Sequence, residues 1–274
     1  MPSSIIPESR PGRKPGTAGL YIFPYVLRYL KAGTITPRMA LLLAHVDRAV
    51  NSWASRNPEK VAEDSQWTPY LDFKTAYLRT ILCCDEKTVR ATVLGLDRHR
   101  ARRHLFRATR LDRRRWRLQT VELAKPDDAT VGDRLYIPWQ VRKVFEGGKV
   151  TPMELLVLAL VGSLTLRGAL CYISNQRIGE FLGIGRQRAK RIVRALVAKK
   201  LLTSEYVTKN ELRKTEWITF RGTGGRTVRL LTVVLPPERD GQDEEQDDWS
   251  DGGHERRMPR PAATNEWDDD QDEW

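Results

Sequence analysis

From 174 to 196 the chain reads Ser-Asn-Gln-Arg-Ile-Gly-Glu-Phe-Leu-Gly-Ile-Gly-Arg-Gln-Arg-Ala-Lys-Arg-Ile-Val-Arg-Ala-Leu, which sets long cationic donors at a helical spacing. Ala189, Ile192, Val193 and Leu196 recur at the interval that fills one helix face. That leaves Arg186, Gln187, Arg188, Lys190, Arg191 and Arg194 for the rest of the surface. Guanidinium and carboxamide groups pair bidentately with guanine and adenine edges, and ammonium and guanidinium groups hold phosphates. Arg186, Gln187, Lys190 and Arg191, nearest the helix start, are therefore the candidates for reading sequence in a DNA major groove. A merely solvated basic face would account for the charge but not for the turn that presents it.

A second basic set lies upstream. Lys87, Thr88 and Arg90 fall on the outward side of another short helix, and positions 98–117 hold ten arginines with one aspartate. Segments 105–110 and 115–123 read as two strands around Leu111-Asp112-Arg113-Arg114. Arg110, Arg113, Arg114 and Arg115 then stand at or beside a hairpin tip, suited to following a phosphate backbone or entering a minor groove. Ion pairs can absorb some of these arginines, but nearby acids are too few for all of them.

The elements that must position these residues recur. Leu20-Tyr21-Ile22 returns as Leu135-Tyr136-Ile137, and Val26, Arg28, Gly33, Thr36, Pro37, Leu41, Leu43, Ala44 and Val46 match Val141, Lys143, Gly148, Thr151, Pro152, Leu156, Leu158, Ala159 and Val161, a constant offset of 115. So long a period implies two units from one duplication rather than a solenoid. Each unit opens on a short aromatic-rich segment and a first helix, 25–32 or 140–146, closed by Gly33 or Gly148. Thr36-Pro37 and Thr151-Pro152 then place a capping hydroxyl at N-cap and proline at N1, and Glu154 at N3 completes a capping box. The helices from Pro37 to about Val50 and from Pro152 to about Ser163 are apolar on most faces, which predicts the core.

Next in the second unit comes a short helix capped by Ser174, a turn through Gly183 and Gly185, and the basic helix, together a helix-turn-helix. The first unit matches it at an offset of 100, pairing Leu82, Cys84, Val93 and Leu96 with Leu182, Ile184, Val193 and Leu196, with Asp85 as N-cap. The difference in offset falls in a polar connection over 51–74. Behind the second basic helix, 203–208, 215–220 and 226–235 alternate around Gly222, Gly224 and Gly225, a larger wing or a three-strand sheet. The expected fold is mainly α with small β wings, an α+β class: an arm over 1–19, units over 20–123 and 135–237, a linker over 124–134, and a tail over 238–274.

Charge follows the same division. The whole chain of 274 residues carries +12, but 238–274 carries −11, leaving +23 on 1–237. A body so positive repels itself unless a polyanion is near, which favours nucleic acid over a membrane surface. The acidic tail carries Trp249, Trp267 and Trp274 and reads either as a disordered solubilising segment or as one that covers the chain's own basic surface or a protein partner. Three cysteines without a signal peptide imply a reducing cytoplasmic setting, with nucleoid or plasmid association. Cys83-Cys84 with His99 and His104 is a poor tetrahedral set, because adjacent cysteines chelate badly and Cys84 falls on a core position. No nucleophile–base arrangement, phosphate-cradling loop or carboxylate pair is evident, so neither an enzyme, a cofactor nor a metal is expected. No aromatic-studded sheet is evident either, which disfavours single-strand recognition without excluding RNA.

The segment 174–196 and its partner 77–96 resemble the bacterial winged-helix superfamily, and the tandem arrangement over 20–235 resembles plasmid replication initiators. That resemblance implies double-stranded DNA binding at repeated origin sequences, with the second unit reading the major groove and the first adding a second half-site or a homodimer contact. The acidic tail and the long first-unit connection depart from that pattern. A transcriptional repressor using the same surfaces is the near alternative; a non-enzymatic adaptor of a chromosome-organising complex is the distant one, and it would expose apolar surface rather than basic helices.

Overall fold

The computed structural model describes residues 19–57, 59, 70–97, 106–120, 134–165, 171–208 and 227–234, all within one compact unit, Met1–Glu238. The expected arm, linker, tail and the 215–220 strand lie outside the described residues, apart from position 19 of the arm and 134 of the linker. The architecture is mixed α and β with small antiparallel sheets. No described helix is long and apolar enough to cross a membrane.

Strand β1 (Leu20–Ile22) leads into α1 (Pro24–Lys31) and then α2 (Pro37–Arg56). Gly33 ends α1 at φ +66°, its N–H donating to Leu30 O and that of Thr34 to Tyr29 O, so a left-handed residue satisfies the last carbonyls. The Thr36 hydroxyl accepts from Met39 N at 3.3 Å and Pro37 fills N1, as the sequence predicts. Residues Ala40 to Val46 of α2 are all buried, because a helix apolar on most faces has no side to give to water. It runs past its expected end near Val50 to Arg56.

The first correction comes in the polar connection. It contains strand β2 (Leu71–Lys74), followed by α3 (Thr75–Leu82), α4 (Glu86–Asp97), β3 (Phe106–Arg110) and β4 (Arg115–Thr120). The sheet order is β2-β4-β3, with Phe73 opposite Trp116 and Ala108 opposite Leu118. The expected two-strand hairpin forms, and β2 joins it along β4 to make a three-strand sheet whose Phe73, Phe106, Trp116 and Leu118 enter the core. Asp85 caps α4, accepting from Thr88 N at 2.7 Å.

Strand β5 (Leu135–Ile137), α5 (Trp139–Glu146) and α6 (Pro152–Thr165) follow. The capping box is reciprocal: Glu154 N donates to Thr151 Oγ1 at 3.3 Å and Thr151 N to Glu154 Oε2 at 2.7 Å. Lys199 adds two contacts of 2.9 Å to the same carboxylate and so ties the start of α6 to the end of α8. The chain then forms α7 (Asn175–Leu182), α8 (Arg186–Ala198), β6 (Leu202–Thr208) and β7 (Thr227–Val233), the last two antiparallel with Cys171 bridging Leu231.

The matched segments meet. β1 pairs antiparallel with β5, Tyr21 opposite Tyr136, their rings 4.9 Å apart. The end of α1 packs on the α7–α8 turn, and α5 packs on α3. Gly183, at φ +68°, sits so close to α1 that an added Cβ would lie 2.5 Å from Lys31 Cα and 2.7 Å from Lys31 O, and the Lys31 ammonium lies 5.1 Å from the Phe181 ring centroid. Gly33 has the same backbone sign but open space around it. Gly33→Ala is therefore expected to cost only the left-handed penalty, about 1 kcal/mol, whereas Gly183→Ala adds a backbone clash for a total of about 3 kcal/mol. Urea midpoints for the two variants check this, and equal losses would mean that the α1 contact contributes nothing.

Candidate nucleic-acid interface

Helix α8 divides its residues as its spacing predicts. Ala189, Val193 and Leu196 are buried and Ile192 half-buried, while Arg186, Gln187, Arg188, Lys190, Arg191 and Arg194 are exposed. Gly185 at N-cap has no side chain to bond the first turn, and a Cβ there would meet nothing within 4 Å, so the helix start faces open space. None of the exposed cations on α8 has an acidic partner among the described residues. The acid Glu180 on α7 is held by Arg177 and Gln176. Charge of one sign concentrated on one helix face raises the local concentration of anions there.

Beside this face the β6–β7 sheet forms the second wall of a hollow of about 450 Å³. Arg186, Gln187, Lys190 and Arg194 line one side; Ser204, Tyr206 and Arg229 line the other, with Asn175 between. Tyr206 and Arg229 are cross-strand partners. Arg229 is fixed by Nη2 donating to Asn175 Oδ1 at 2.8 Å and to Ile173 O at 3.5 Å, and burial pulls its pKa down from the ordinary arginine value. Neither residue was legible as a wall of this hollow, because the register that opposes them pairs strands on either side of 209–226. The alternation of β6 alone does place Ser204 and Tyr206 on the same face.

On α4 and the β3–β4 hairpin the candidates separate by role. Lys87 and Arg90 are exposed on α4, but Thr88 is half-buried and its hydroxyl, with its N–H, engages the Asp85 carboxylate. Thr88 thus serves the cap, and those hydrogen bonds hold Asp85 below its ordinary pKa. At the hairpin, Arg110, Arg113, Arg114 and Arg115 are all exposed. Two of them also build the turn: Arg115 Nε donates to Asp112 Oδ2 at 2.7 Å, and Arg110 Nε to Asp112 O at 3.1 Å. Arg114 N donates to Asp112 Oδ1 at 2.6 Å, so Asp112 organises the tip and is held below its usual pKa by Arg115 and these N–H groups. Arg117 is taken by Asp72 of β2, at 2.8 and 3.2 Å. Arg113 and Arg114 keep their guanidinium groups without an ion-pair partner among the described residues. Arg98, Arg100, Arg102 and Arg103, with His99 and His104, lie outside the described residues.

Cys84 is half-buried, and burial pushes its thiol pKa up, which keeps it protonated and unreactive. No group of three His, Cys, Asp or Glu among the described residues is placed to hold a metal ion. No family model matches the chain, and no curated protein and no solved structure is significantly similar to it.

Proposed function

We propose that this protein binds double-stranded DNA through two winged helix-turn-helix units derived from one another, and that it acts as a replication initiator of the plasmid or phage kind on repeated origin sequences. The observation that carries DNA binding is the exposed face of α8, where Arg186, Gln187, Lys190, Arg191 and Arg194 stand together with no acid to neutralise them among the described residues. A helix about 10–12 Å across fits a major groove about 12 Å wide, and a row of long donors on that helix reaches both phosphates and base edges. Arg113 and Arg114 at the β3–β4 tip supply sequence-independent charge for the backbone. The initiator role comes from the resemblance of the tandem arrangement alone.

The test is binding of the full chain to duplex DNA across a salt series, followed by footprinting on fragments selected for affinity. Log affinity is expected to fall linearly with log salt with a slope of roughly −5 or steeper, as several neutralised phosphates require. Protection of several direct repeats supports initiation; a lone palindrome at a promoter replaces initiation with repression. No binding at low salt removes the DNA reading altogether.

A further inference from the structure

The hollow between α8 and the β6–β7 sheet has features that contact with an intact duplex does not use. A helix seated in a major groove fills it, so stacked base pairs meet the outer face of α8 and stop there. Tyr206 is on the opposite wall and is 73% exposed, a large aromatic ring left in water on the face of a strand. Around it stand Arg186, Lys190 and Arg194 from the helix and Arg229 from the sheet, and among the described residues no acid lines the space. Arg229 uses only Nη2 within the described residues, so Nε and Nη1 remain for a ligand. At about 450 Å³ the hollow lies within the range of pockets that hold small molecules and is far too small for a duplex. An aromatic face ringed by cations fits one ligand chemistry well: a flat base with phosphates on either side.

We propose that this hollow receives one unstacked nucleotide of a DNA strand, its base on the Tyr206 ring and its flanking phosphates on Arg186, Lys190 and Arg229. The inference rests on the DNA-binding reading above and adds a preference to it. Taking a base out of a matched stack costs free energy, whereas a mismatched or bulged base has already lost most of its stacking and pairing. The chain therefore favours DNA with an unpaired base over a continuous duplex of the same sequence. Such a preference suits a protein that acts where strands begin to separate.

The experiment compares two mixed-sequence duplexes of three helical turns, one continuous and one carrying a single central bulged 2-aminopurine, with the full-length protein. The bulged duplex is expected to bind roughly tenfold more tightly, the effect of stacking one base on an aromatic side chain, with a change in 2-aminopurine fluorescence on binding. Tyr206→Leu should remove that preference and the fluorescence change while leaving affinity for the continuous duplex within twofold; Tyr206→Phe should keep both. The exposure of Tyr206 means that neither variant disturbs the core. Equal affinity of the native chain for the two duplexes, or an equal loss on both in Tyr206→Leu, overturns the inference while DNA binding stands. Failure of the native chain to bind either duplex at low salt overturns both.

Discussion

Alanine at Arg186, Lys190, Arg191 and Arg194 together is expected to lower affinity for duplex DNA by on the order of a thousandfold at physiological salt and to flatten the salt slope by about 3 to 4. The size follows from removing four cations that have no acidic partner among the described residues, so that nothing inside the protein loses an interaction in return. Folding should be unharmed for the same reason. A body carrying +23 over 1–237 repels itself, and relieving four charges raises the thermal midpoint or leaves it unchanged. Arg113→Ala with Arg114→Ala makes the contrasting case. Those two at the hairpin tip should flatten the slope by about 2 and weaken every sequence alike, whereas Gln187→Ala should relax preference at one base position with little change in slope. Fluorescence anisotropy over a salt series, with melting curves on the same samples, checks all three variants. An unchanged salt slope in the fourfold variant, with the fold intact, would show that α8 is not the surface that meets the DNA.

Much of what positions this surface was legible because it is local. Thr36-Pro37, Thr151-Pro152 with Glu154, Asp85 and Ser174 each cap a helix through a hydrogen bond spanning three residues, so sequence alone dictates them. The inward and outward residues of α8 follow from helical periodicity, and the β3–β4 turn from the Asp112 side chain that bonds its own neighbours. What was illegible depends on distant partners. The stretch Leu20–Ile22 is too short for any period, and it becomes a strand only because Leu135–Ile137 lies beside it. Strand β2 sits in a polar connection and is fixed by β4, with Phe73 opposite Trp116 and Asp72 paired to Arg117. Tyr206 and Arg229 face each other across a register set by residues far apart in the chain. Thr88 illustrates the limit from the other side. Helical spacing leaves it free for a ligand, but the Asp85 cap engages its hydroxyl.

The second large effect concerns the core, where α2 buries two ionisable groups that pull stability in opposite directions. Asp47 is 2% exposed, and Tyr25 donates to its Oδ2 at 2.5 Å. Burial raises its pKa to about 7 against the opposing pull of Tyr25 and Thr120. His45 is 4% exposed, and burial, aided by Arg142 and Arg48, lowers its pKa to about 3. For Asp47 the folded state holds a proton that the unfolded chain releases near 3.8, so its contribution is complete below that pH and is lost as pH rises through about 7. For His45 the unfolded chain gains a proton near 6.5 that the folded state refuses, so its contribution is complete above that pH and is lost as pH falls toward about 3. Each shift spans roughly three pKa units, on the order of 4 kcal/mol, and the two windows overlap with opposite sign. The native protein should consequently show little net slope from these groups between about pH 4 and 6.5, and substitution should expose each one separately. Asp47→Asn is expected to gain on the native chain by several kcal/mol as pH rises from 4 to 7, since it can no longer become a buried anion. His45→Gln is expected to lose its advantage over the native chain across nearly the same range, since it no longer charges in the unfolded state. Urea unfolding at half-unit steps of pH measures both differences. A difference that stays flat with pH for Asp47→Asn would mean that the carboxyl titrates at its ordinary value, and that α2 opens enough for water to reach it.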